Sequence, residues 1–509
     1  MIVLDNNMTV TVVLLCAFLT LLSFIFLSQR RRLKYWQNLG IICEEPTYIL
    51  GNLTGLSTTR SFADVWLQYY NKFKESGEPF VGFYWFHSPA AFILDTELIK
   101  KILIKDFSKF TDRGIYHNVP DDPLSGQLFL LEGHKWRTMR HKLTPTFTSG
   151  KIKLMFPAVM GVAKELVQVF RESMQISSTV EIRELLARLT TDVIGPCAFG
   201  IECSSLRDSQ AEFRIMGKKA INESRHGNLG LAFMSSFPNL ARKLHIKYNA
   251  DSVEEFFLRI VRETVEYREQ NHIHRNDFMD MLIDLRNKNL MVSEDGQMLK
   301  NLTLEEIAAQ AFLFFNAGFE TSSTTMSFAL YELAQHEHLQ ERVRREVETV
   351  FAQNNNNLTY ESLQQMQYLG QVISETLRLY TVLPVLNRFC LEDYNVSDSK
   401  KYIIKKGMQI IIPINAIHRN PDYYPNPDNF NPDNFLPELV QSRKTCEFLG
   451  FGEGPRNCIG KRFGMMQTRI GLALLLKHFK FSVLFHKCSF LLSKSFVNVF
   501  VLLKMEGIG

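Results

Sequence analysis

The sequence predicts a mainly α-helical protein with small β-sheets, built as one large helical domain behind an N-terminal transmembrane anchor. Helical spacing of apolar residues dominates from Phe62 onward, and strand-like runs are short. No stretch after residue 52 has the composition of a linker, and no repeat is evident. The 509 residues, 46% of them hydrophobic, can bury a large core. We therefore predict an anchor at residues 1–30, a linker at 31–52 and one domain at 53–509.

The predicted anchor is the clearest outlier in composition. Residues 10–27 are almost wholly apolar and, as a helix, span roughly 27 Å, close to the thickness of a bilayer core. Three arginines follow at 30–32, whereas Asp5 is the only charged side chain ahead of the apolar run. This asymmetry places the following domain in the cytoplasm. A cleavable signal peptide, the competing interpretation, carries its positive charges before the apolar run.

Charge and cysteine content exclude several classes of protein. The net charge of +5 is small for this length and gives no nucleic-acid-binding footprint. The eight cysteines are scattered without a CxxC pair, which argues against a zinc ribbon or a secreted disulfide framework and favours a reducing compartment.

The remaining local patterns predict short strands and one ambiguous segment. Strand-like runs occur at 80–84 with 91–94, and at 402–404 with 408–413. Residues 230–244 mix aromatic residues with two basic side chains around a proline. That composition suits either a segment that dips into a membrane surface or ordinary core packing.

A long helix is predicted to begin after Thr303. Thr303 as N-cap and Glu306 three residues later form a capping box, and apolar positions continue for about thirty residues. Gly318 weakens the middle of this helix and the Thr321 hydroxyl can bond back to a carbonyl, so a local bulge is predicted. A hydroxyl beside the Glu320 carboxylate suits proton delivery to bound dioxygen. The alternative is a packed helix with a small-residue crossing point.

A charge pair is predicted inside an apolar helix near residue 375. Glu375 and Arg378 stand at positions i and i+3, which share a helix face. The surrounding residues are apolar and imply burial, where a charge pair without further partners is costly.

The loop at residues 451–460 carries the strongest chemical signal. It places Cys458 among three glycines, with Arg456 two residues earlier and a helix predicted to begin near Ile459. Glycine lets main-chain N–H groups approach a ligand closely, and thiolate reactivity depends on such donors. The helix aims its positive end at the sulfur, and Arg456 can reach an anionic group on a cofactor. The alternative is a buried free cysteine beside a surface loop.

In this order and at these separations, the three features resemble the cytochrome P-450 family of haem-thiolate monooxygenases over nearly the whole chain. Finer details resemble the insect microsomal members that oxidise xenobiotics. The matching positions are, for the iron ligand, Cys458; for the oxygen-activating helix, Ala317, Gly318, Glu320 and Thr321; and for the buried ion pair, Glu375 and Arg378.

The resemblance implies haem b as cofactor, with the Cys458 thiolate as axial ligand to the iron. It also implies partners for the haem propionates. A dianionic cofactor in an apolar site needs cationic donors, and the arginine fork suits carboxylates. The residues implied are Arg113, Trp136, Arg140, Arg388 and Arg456.

The implied reaction inserts one oxygen atom of O2 into an apolar small molecule, either a xenobiotic or an endogenous lipophile. Thr321 is expected to hydrogen-bond dioxygen, while Glu320 and water supply protons. Two alternatives remain, a haem-thiolate isomerase that needs no reductase and a haem sensor or carrier without turnover.

Electrons are expected from a separate protein, because the chain has no GxGxxG after a strand. The resemblance implies NADPH-cytochrome P-450 reductase, with both proteins on the endoplasmic reticulum membrane and the catalytic domain facing the cytoplasm. The predicted docking face consists of Lys135, Arg137, Lys142, Lys461 and Arg462.

Three positions depart from the family pattern. Asn434 replaces an arginine that commonly joins Glu375 and Arg378, although asparagine can still hydrogen-bond the pair. Thr381 replaces a common proline and is expected only to loosen a turn. Residues 484–503 are apolar and glycine-free where the family forms a hairpin with a glycine-containing turn, so the substrate pocket is expected to be atypical there.

Overall fold

The computed structural model describes residues 6–56, 59–223, 225–287, 300–397, 402–484 and 502–507. Within these ranges the protein is mainly α-helical with small sheets, which confirms the predicted fold class. The α-helices are α1 (Asn6–Arg32), α2 (Tyr35–Asn38), α3 (Phe62–Phe73), α4 (Thr96–Lys100), α5 (Gly133–Leu143), α6 (Ser149–Ile176), α7 (Ile182–Ile194), α8 (Glu212–Asn222), α9 (Gly227–Ser236), α10 (Pro238–Lys243), α11 (Asp251–Asn271), α12 (Phe278–Asn287), α13 (Leu304–Gln335), α14 (Glu337–Gln353), α15 (Gln367–Leu379), α16 (Ile414–Ile417), α17 (Pro437–Ser442) and α18 (Lys461–His478).

The strands form three small antiparallel or mixed sheets. They are β1 (Phe80–Trp85), β2 (Ser88–Ile93), β3 (Thr179–Glu181), β4 (Leu386–Phe389), β5 (Tyr394–Asn395), β6 (Ile403–Ile404), β7 (Gln409–Ile412), β8 (Phe479–Val483) and β9 (Leu502–Gly507). The sheet orders are β1-β2-β7-β4, β3-β9-β8 and β5-β6, and only the β2–β7 pair is parallel among the named strands.

All four of the predicted strand-like runs contain strands. β1 and β2 form a hairpin in which Phe80 lies opposite Ile93. The runs at 402–404 and 408–413 both contain strands, but these strands do not pair with each other. β6 pairs with β5, whereas β7 lies between β2 and β4.

The helix α13 runs through the centre of the larger of two hydrophobic cores. It packs against α7, α11, α15 and α18. A second core surrounds the four-stranded sheet and α3. The cysteine loop and the sheet edge at β4 lie where the two cores meet, so the site residues are supported from both sides.

The N-terminal helix agrees with the predicted anchor. The most apolar 18-residue window within Val10–Arg32 has a mean hydropathy of 2.8, and none of that window is buried inside the protein. The segment after it docks on the four-stranded sheet: the Trp36 indole is fully buried and donates to the Phe83 carbonyl at 3.1 Å. The predicted linker is therefore packed along part of its length.

The ambiguous segment at 230–244 forms parts of α9 and α10, and Pro238 begins the second of these helices. Phe237, Leu240 and Leu244 are exposed, although Met234 and Ala241 are buried. Core packing therefore accounts for only part of this segment, and its exposed apolar side chains suit a membrane surface.

The unusual C-terminal segment falls mostly outside the described residues, which resume at 502 after 484. β8 and β9 flank the gap and pair antiparallel, with Phe479 opposite Gly507. The prediction of an atypical pocket at 484–503 therefore stays a prediction.

Candidate active site

The helix α13 begins as the sequence predicts, with a reciprocal capping box between Thr303 and Glu306. It then continues as regular α-helix to Gln335. The predicted bulge at Gly318 is therefore wrong. The Thr321 hydroxyl does donate to the Ala317 carbonyl at 2.6 Å, but this bond forms beside the ladder without interrupting it.

Gly318 is needed for the crossing of two helices. A Cβ at this position would come within 2.5 Å of Ile194 Cδ1 on α7. Ala317 and Thr321 line an internal cavity. The small-residue crossing and the cavity wall, which the sequence left as alternatives, therefore both exist on this stretch of α13.

Glu320 does not lie with Thr321 at the cavity wall. Its carboxylate forms an ion pair with Arg183 on α7 and accepts a hydrogen bond from the Thr324 hydroxyl at 3.3 Å. Glu320 is absent from the lining residues. The structure thus brings Thr321 to the cavity and holds Glu320 against the neighbouring helix.

The cysteine loop is shaped by two glycines with left-handed backbone. Gly452 and Gly454 have φ of 65° and 73°. A Cβ at Gly454 would overlap the Leu103 carbonyl oxygen, so only glycine permits this close approach. Gly460 has an ordinary φ of −86° and open space around it. The loop closes through a hydrogen bond from the Cys458 amide to the Phe451 carbonyl at 2.8 Å.

The Cys458 side chain faces the same cavity as Thr321. It is exposed toward that cavity although protein surrounds it. Burial raises the pKa of the Cys458 thiol, while the Gly460 amide and the charge of Arg140 act in the opposite direction. α18 begins at Lys461, two residues after the predicted start, so its N-terminus directly follows the cysteine loop.

Arg388 lies near two arginines at the edge of this cavity, although Arg388 itself is not among the residues that line it. Arg113 and Arg456 line it, and Arg388 lies close enough that its charge lowers the pKa of both, after the larger effect of burial. The pKa of Arg456 falls to about 9 and that of Arg388, through burial, to about 10. Such a cluster of buried like charges requires anionic compensation.

The protein itself supplies little of that compensation. Arg456 donates to the Leu131 carbonyl at 2.6 Å and stacks on Trp136 at 4.3 Å, but its Nε and Nη1 atoms have no partner in the described residues. The Arg388 Nε atom is likewise unpartnered there. Asp112 approaches Arg456 only to 3.9 Å. Unpartnered guanidinium donors beside a cavity fit a bound carboxylate.

Trp136 and Arg140 stand one turn apart on α5, and both line the cavity. Arg140 holds the cysteine loop directly, because it donates to the Asn457 carbonyl at 3.0 Å and to the Asn457 side chain at 2.9 Å. The structure therefore brings Trp136 and Arg140 together with Cys458, Arg113 and Thr321 around one cavity.

A match to the cytochrome P450 family model extends over residues 43–499. The chain belongs to the cytochrome P450 family. It is 62% identical over 476 residues to a probable cytochrome P450 6a21 of Drosophila melanogaster, covering 94% of each chain. Similarity extends to cytochrome P450 6a9 of the same species, at 62% over 92% of this chain and 93% of the relative. It also includes cytochrome P450 6A1 of Musca domestica, at 48% over 92% of each chain.

Membership of the cytochrome P450 family makes this protein a haem-thiolate monooxygenase that uses O2, a redox partner and lipophilic substrates. The cavity fits haem. One thiol faces it, unpartnered arginine donors stand at one edge, and the rest of its wall is mostly apolar.

The buried Glu375–Arg378 pair on α15 has the partners that its burial demands. Arg378 and Glu375 are bidentate, with both N–O distances 2.7 Å. Arg378 also donates to the carbonyls of His418, Pro427 and Asn429. The predicted bond from Asn434 is confirmed at 3.1 Å to Glu375. The missing arginine is therefore replaced in hydrogen bonding, although not in charge.

Sequence reasoning missed two further cavity residues. Gln310 lines the cavity from α13 and is bonded to a distant loop. Thr381 was expected only to loosen a turn, but its buried side chain lines the cavity and its hydroxyl has no partner among the described residues. Gln310 is a polar residue on an apolar helix face, which was the one available signal.

Proposed function

We propose that this cytochrome P450 inserts one oxygen atom of O2 into an apolar xenobiotic or endogenous lipophile, with Cys458 as the axial ligand of its haem. The observation that carries the proposal is the single cavity that Cys458 and Thr321 share, with Arg113 and Arg456 at its edge. Bound haem supplies the activation of O2 and the transfer of oxygen. The side chains of this chain bind and orient the substrate, and they exclude water from the cavity.

The arginines are proposed to hold the cofactor through its propionates. Arg456 and Arg388 have unpartnered donors for a carboxylate, and Arg113 stands close enough to share the charge. The Trp136 ring packs against the Arg456 guanidinium, and Arg140 keeps the cysteine loop in place through Asn457. The anionic carboxylates offset the mutual repulsion of these cations.

Thr321 and Glu320 are proposed to divide the handling of protons. Thr321 lies at the cavity wall, and its hydroxyl donates a hydrogen bond to the Ala317 carbonyl. Rotation about χ1 redirects this hydroxyl into the cavity. Glu320 lies outside the lining, paired with Arg183, so it acts through water as a proton source rather than by direct contact with substrate.

The proposed electron donor is NADPH-cytochrome P-450 reductase. Lys135, Arg137, Lys461 and Arg462 are exposed around the thiolate side and can meet an acidic partner. Lys142 does not belong to this face. It is buried, and its ammonium donates to the Lys300 carbonyl at 2.5 Å.

The proposed location is the endoplasmic reticulum membrane, with the catalytic domain in the cytoplasm. The arginines at the end of α1 support that orientation. The exposed apolar residues of α9 and α10 offer a second contact with lipid.

Thr321→Ala, assayed with NADPH and reductase on the haem-loaded full chain, tests the proposal against its two alternatives. We expect product formation to fall at least about tenfold, since a positioned proton donor usually contributes about a hundredfold or more, and peroxide release to rise. Unchanged NADPH-driven product formation, with no rise in peroxide release, would contradict the monooxygenase mechanism. In the wild-type chain, product without any reductase would favour an isomerase, and haem binding without turnover would favour a sensor or carrier.

A further inference from the structure

The Gln310 side chain connects the helix α13 to one short loop segment, residues 126–129. The side chain is 1% exposed, and both ends of its amide are used. Its Oε1 accepts from the Leu128 amide at 2.9 Å, and its Nε2 donates to the Gly126 carbonyl at 3.1 Å. One buried side chain therefore replaces the backbone partners that this segment lacks at that point.

The segment held by Gln310 forms a wall of the cavity. Leu128 and Phe129 both line it. The Arg113 guanidinium lies 4.1 Å from the Phe129 ring centroid and donates to the Phe129 carbonyl at 3.1 Å. The position of these two side chains relative to α13 thus sets the width of the cavity on this side.

The chain just after this segment, at Leu131, is fixed by a separate contact. The Leu131 carbonyl accepts from Arg456, which belongs to the cofactor edge of the cavity. Loss of the Gln310 amide would remove the contacts at Gly126 and Leu128, while the bond between Leu131 and Arg456 would remain. Arg113 also donates to the Arg456 carbonyl at 3.3 Å, and this bond does not depend on Gln310, so the consequence falls on cavity shape more than on the cofactor.

We infer that Gln310 is a positioning residue that fixes the distance between α13 and residues 126–129, and so selects which apolar molecules fit the cavity. The inference rests on the proposed function, because that cavity is taken as the substrate site. Gln310 acts through Leu128 and Phe129, which contact the bound molecule. Gln310 preorganises this wall of the cavity. Loss of Gln310 therefore weakens the binding of ligands that contact the wall and leaves the binding of smaller ligands unchanged.

The test uses the haem-loaded full chain and two probes, imidazole and 4-phenylimidazole, whose binding is followed by the absorption shift of the haem. Imidazole reports access to the iron, and the added phenyl ring reports the apolar wall. In Gln310→Met we expect the Kd of 4-phenylimidazole to rise about fivefold, the scale of one buried hydrogen bond. The Kd of imidazole is expected to change less than about twofold.

Gln340→Met is the matched control. Gln340 is also 1% exposed, accepts from the Phe481 amide at 2.9 Å and donates to the Phe481 carbonyl at 2.8 Å, but it lies away from the cavity. Gln340 also donates to the Leu333 carbonyl and accepts from Arg344, so Gln340→Met loses more hydrogen bonds than Gln310→Met, yet it is expected to leave both Kd values unchanged. If Gln340→Met shifts 4-phenylimidazole as Gln310→Met does, or if both probes shift equally in Gln310→Met, the inference is overturned.

Gln310→Glu covers the case in which Gln310→Met retains no haem. The carboxylate keeps an acceptor for the Leu128 amide but repels the Gly126 carbonyl. The Kd of 4-phenylimidazole is therefore again expected to rise more than the Kd of imidazole. Loss of haem in both variants, with haem retained in Gln340→Met, would overturn the specificity role. A wild-type chain that gives no haem shift with imidazole would instead defeat the proposed function itself.

Discussion

Two glycines of the cysteine loop differ in what they do, and the difference could not be seen from their spacing. Gly454 has φ of 73°, and a side chain there would overlap the Leu103 carbonyl oxygen. Gly460 has an ordinary φ and open space. Three glycines in the sequence predicted a tight loop, but only the packing of residues near 103 identifies the one that cannot change.

Gly454→Ala should therefore unfold the loop around Cys458. We expect a loss of about 2–4 kcal/mol in unfolding free energy, from left-handed strain together with the overlap at Leu103. Haem content per chain should fall with it. The matched variant Gly460→Ala is expected to change the unfolding free energy by less than about 1 kcal/mol. Equal haem content and equal melting temperatures for the two variants would contradict this account.

His418 gives the protein a specific sensitivity to acid. Burial, followed by the charge of Arg378, lowers the pKa of His418 to about 3. Its Nε2 accepts from the Leu449 amide at 2.8 Å, so the neutral ring is the one that fits. Below pH 6.5 the unfolded chain takes up a proton on this ring and the folded chain does not. Stability conferred by neutral His418 is therefore complete above that pH and declines as pH falls toward 3.

The size of this effect follows from linkage. Between pH 6 and 4, His418 should contribute a loss of about 1.4 kcal/mol per pH unit in unfolding free energy. His418→Gln keeps an acceptor for Leu449 but cannot titrate, so its stability should decline less steeply over the same range. Urea unfolding of both chains at several pH values measures the difference, and parallel pH dependences would show that His418 does not titrate on unfolding.

At the scale of elements, the crossing of α13 and α7 determines how α13 is held. Gly318 lets Ile194 approach α13, and the Arg183–Glu320 pair adds a polar contact between the same two helices. The sequence indicated a small residue in α13 but not which helix it meets. Contacts between positions more than a hundred residues apart leave no local pattern to read.

Gly318→Ala should strain this crossing. The new methyl group meets Ile194 Cδ1 at 2.5 Å, so we expect a loss of about 1–3 kcal/mol in unfolding free energy, as for other overpacked cores. Ile194→Val removes that terminal methyl group. The double variant should therefore be more stable than the sum of the two single changes predicts, and simple additivity in denaturant unfolding would contradict the contact.

At the scale of the whole molecule, the sequence predicted the parts whose signals are local. The capping box of α13, the Glu375–Arg378 pair and the N-terminal apolar helix appear as expected. It did not predict the pairing of β6, the burial of Lys142 or the partner of Glu320. Each of those depends on where distant segments meet in three dimensions, which periodicity and capping do not encode.

The anchor and its orientation can be tested on the whole chain in microsomes. The full chain should resist alkaline carbonate extraction, because α1 is apolar over a length that spans a bilayer. A chain lacking residues 2–30 should be released at least in part. Protease added outside sealed microsomes should cut the catalytic domain of the full chain. Extraction of the full chain, or protection of its domain until detergent is added, would contradict the proposed topology.

The most direct measurement of the central claim is the absorption spectrum of the reduced, CO-treated full chain. If Cys458 is the axial ligand, the wild-type chain shows the red-shifted Soret band of thiolate-ligated ferrous iron, and Cys458→Ser abolishes it. Cys446→Ser, which alters another cysteine of the same region, should keep it. A wild-type band without the red shift, or a red shift that survives in Cys458→Ser, would contradict the account.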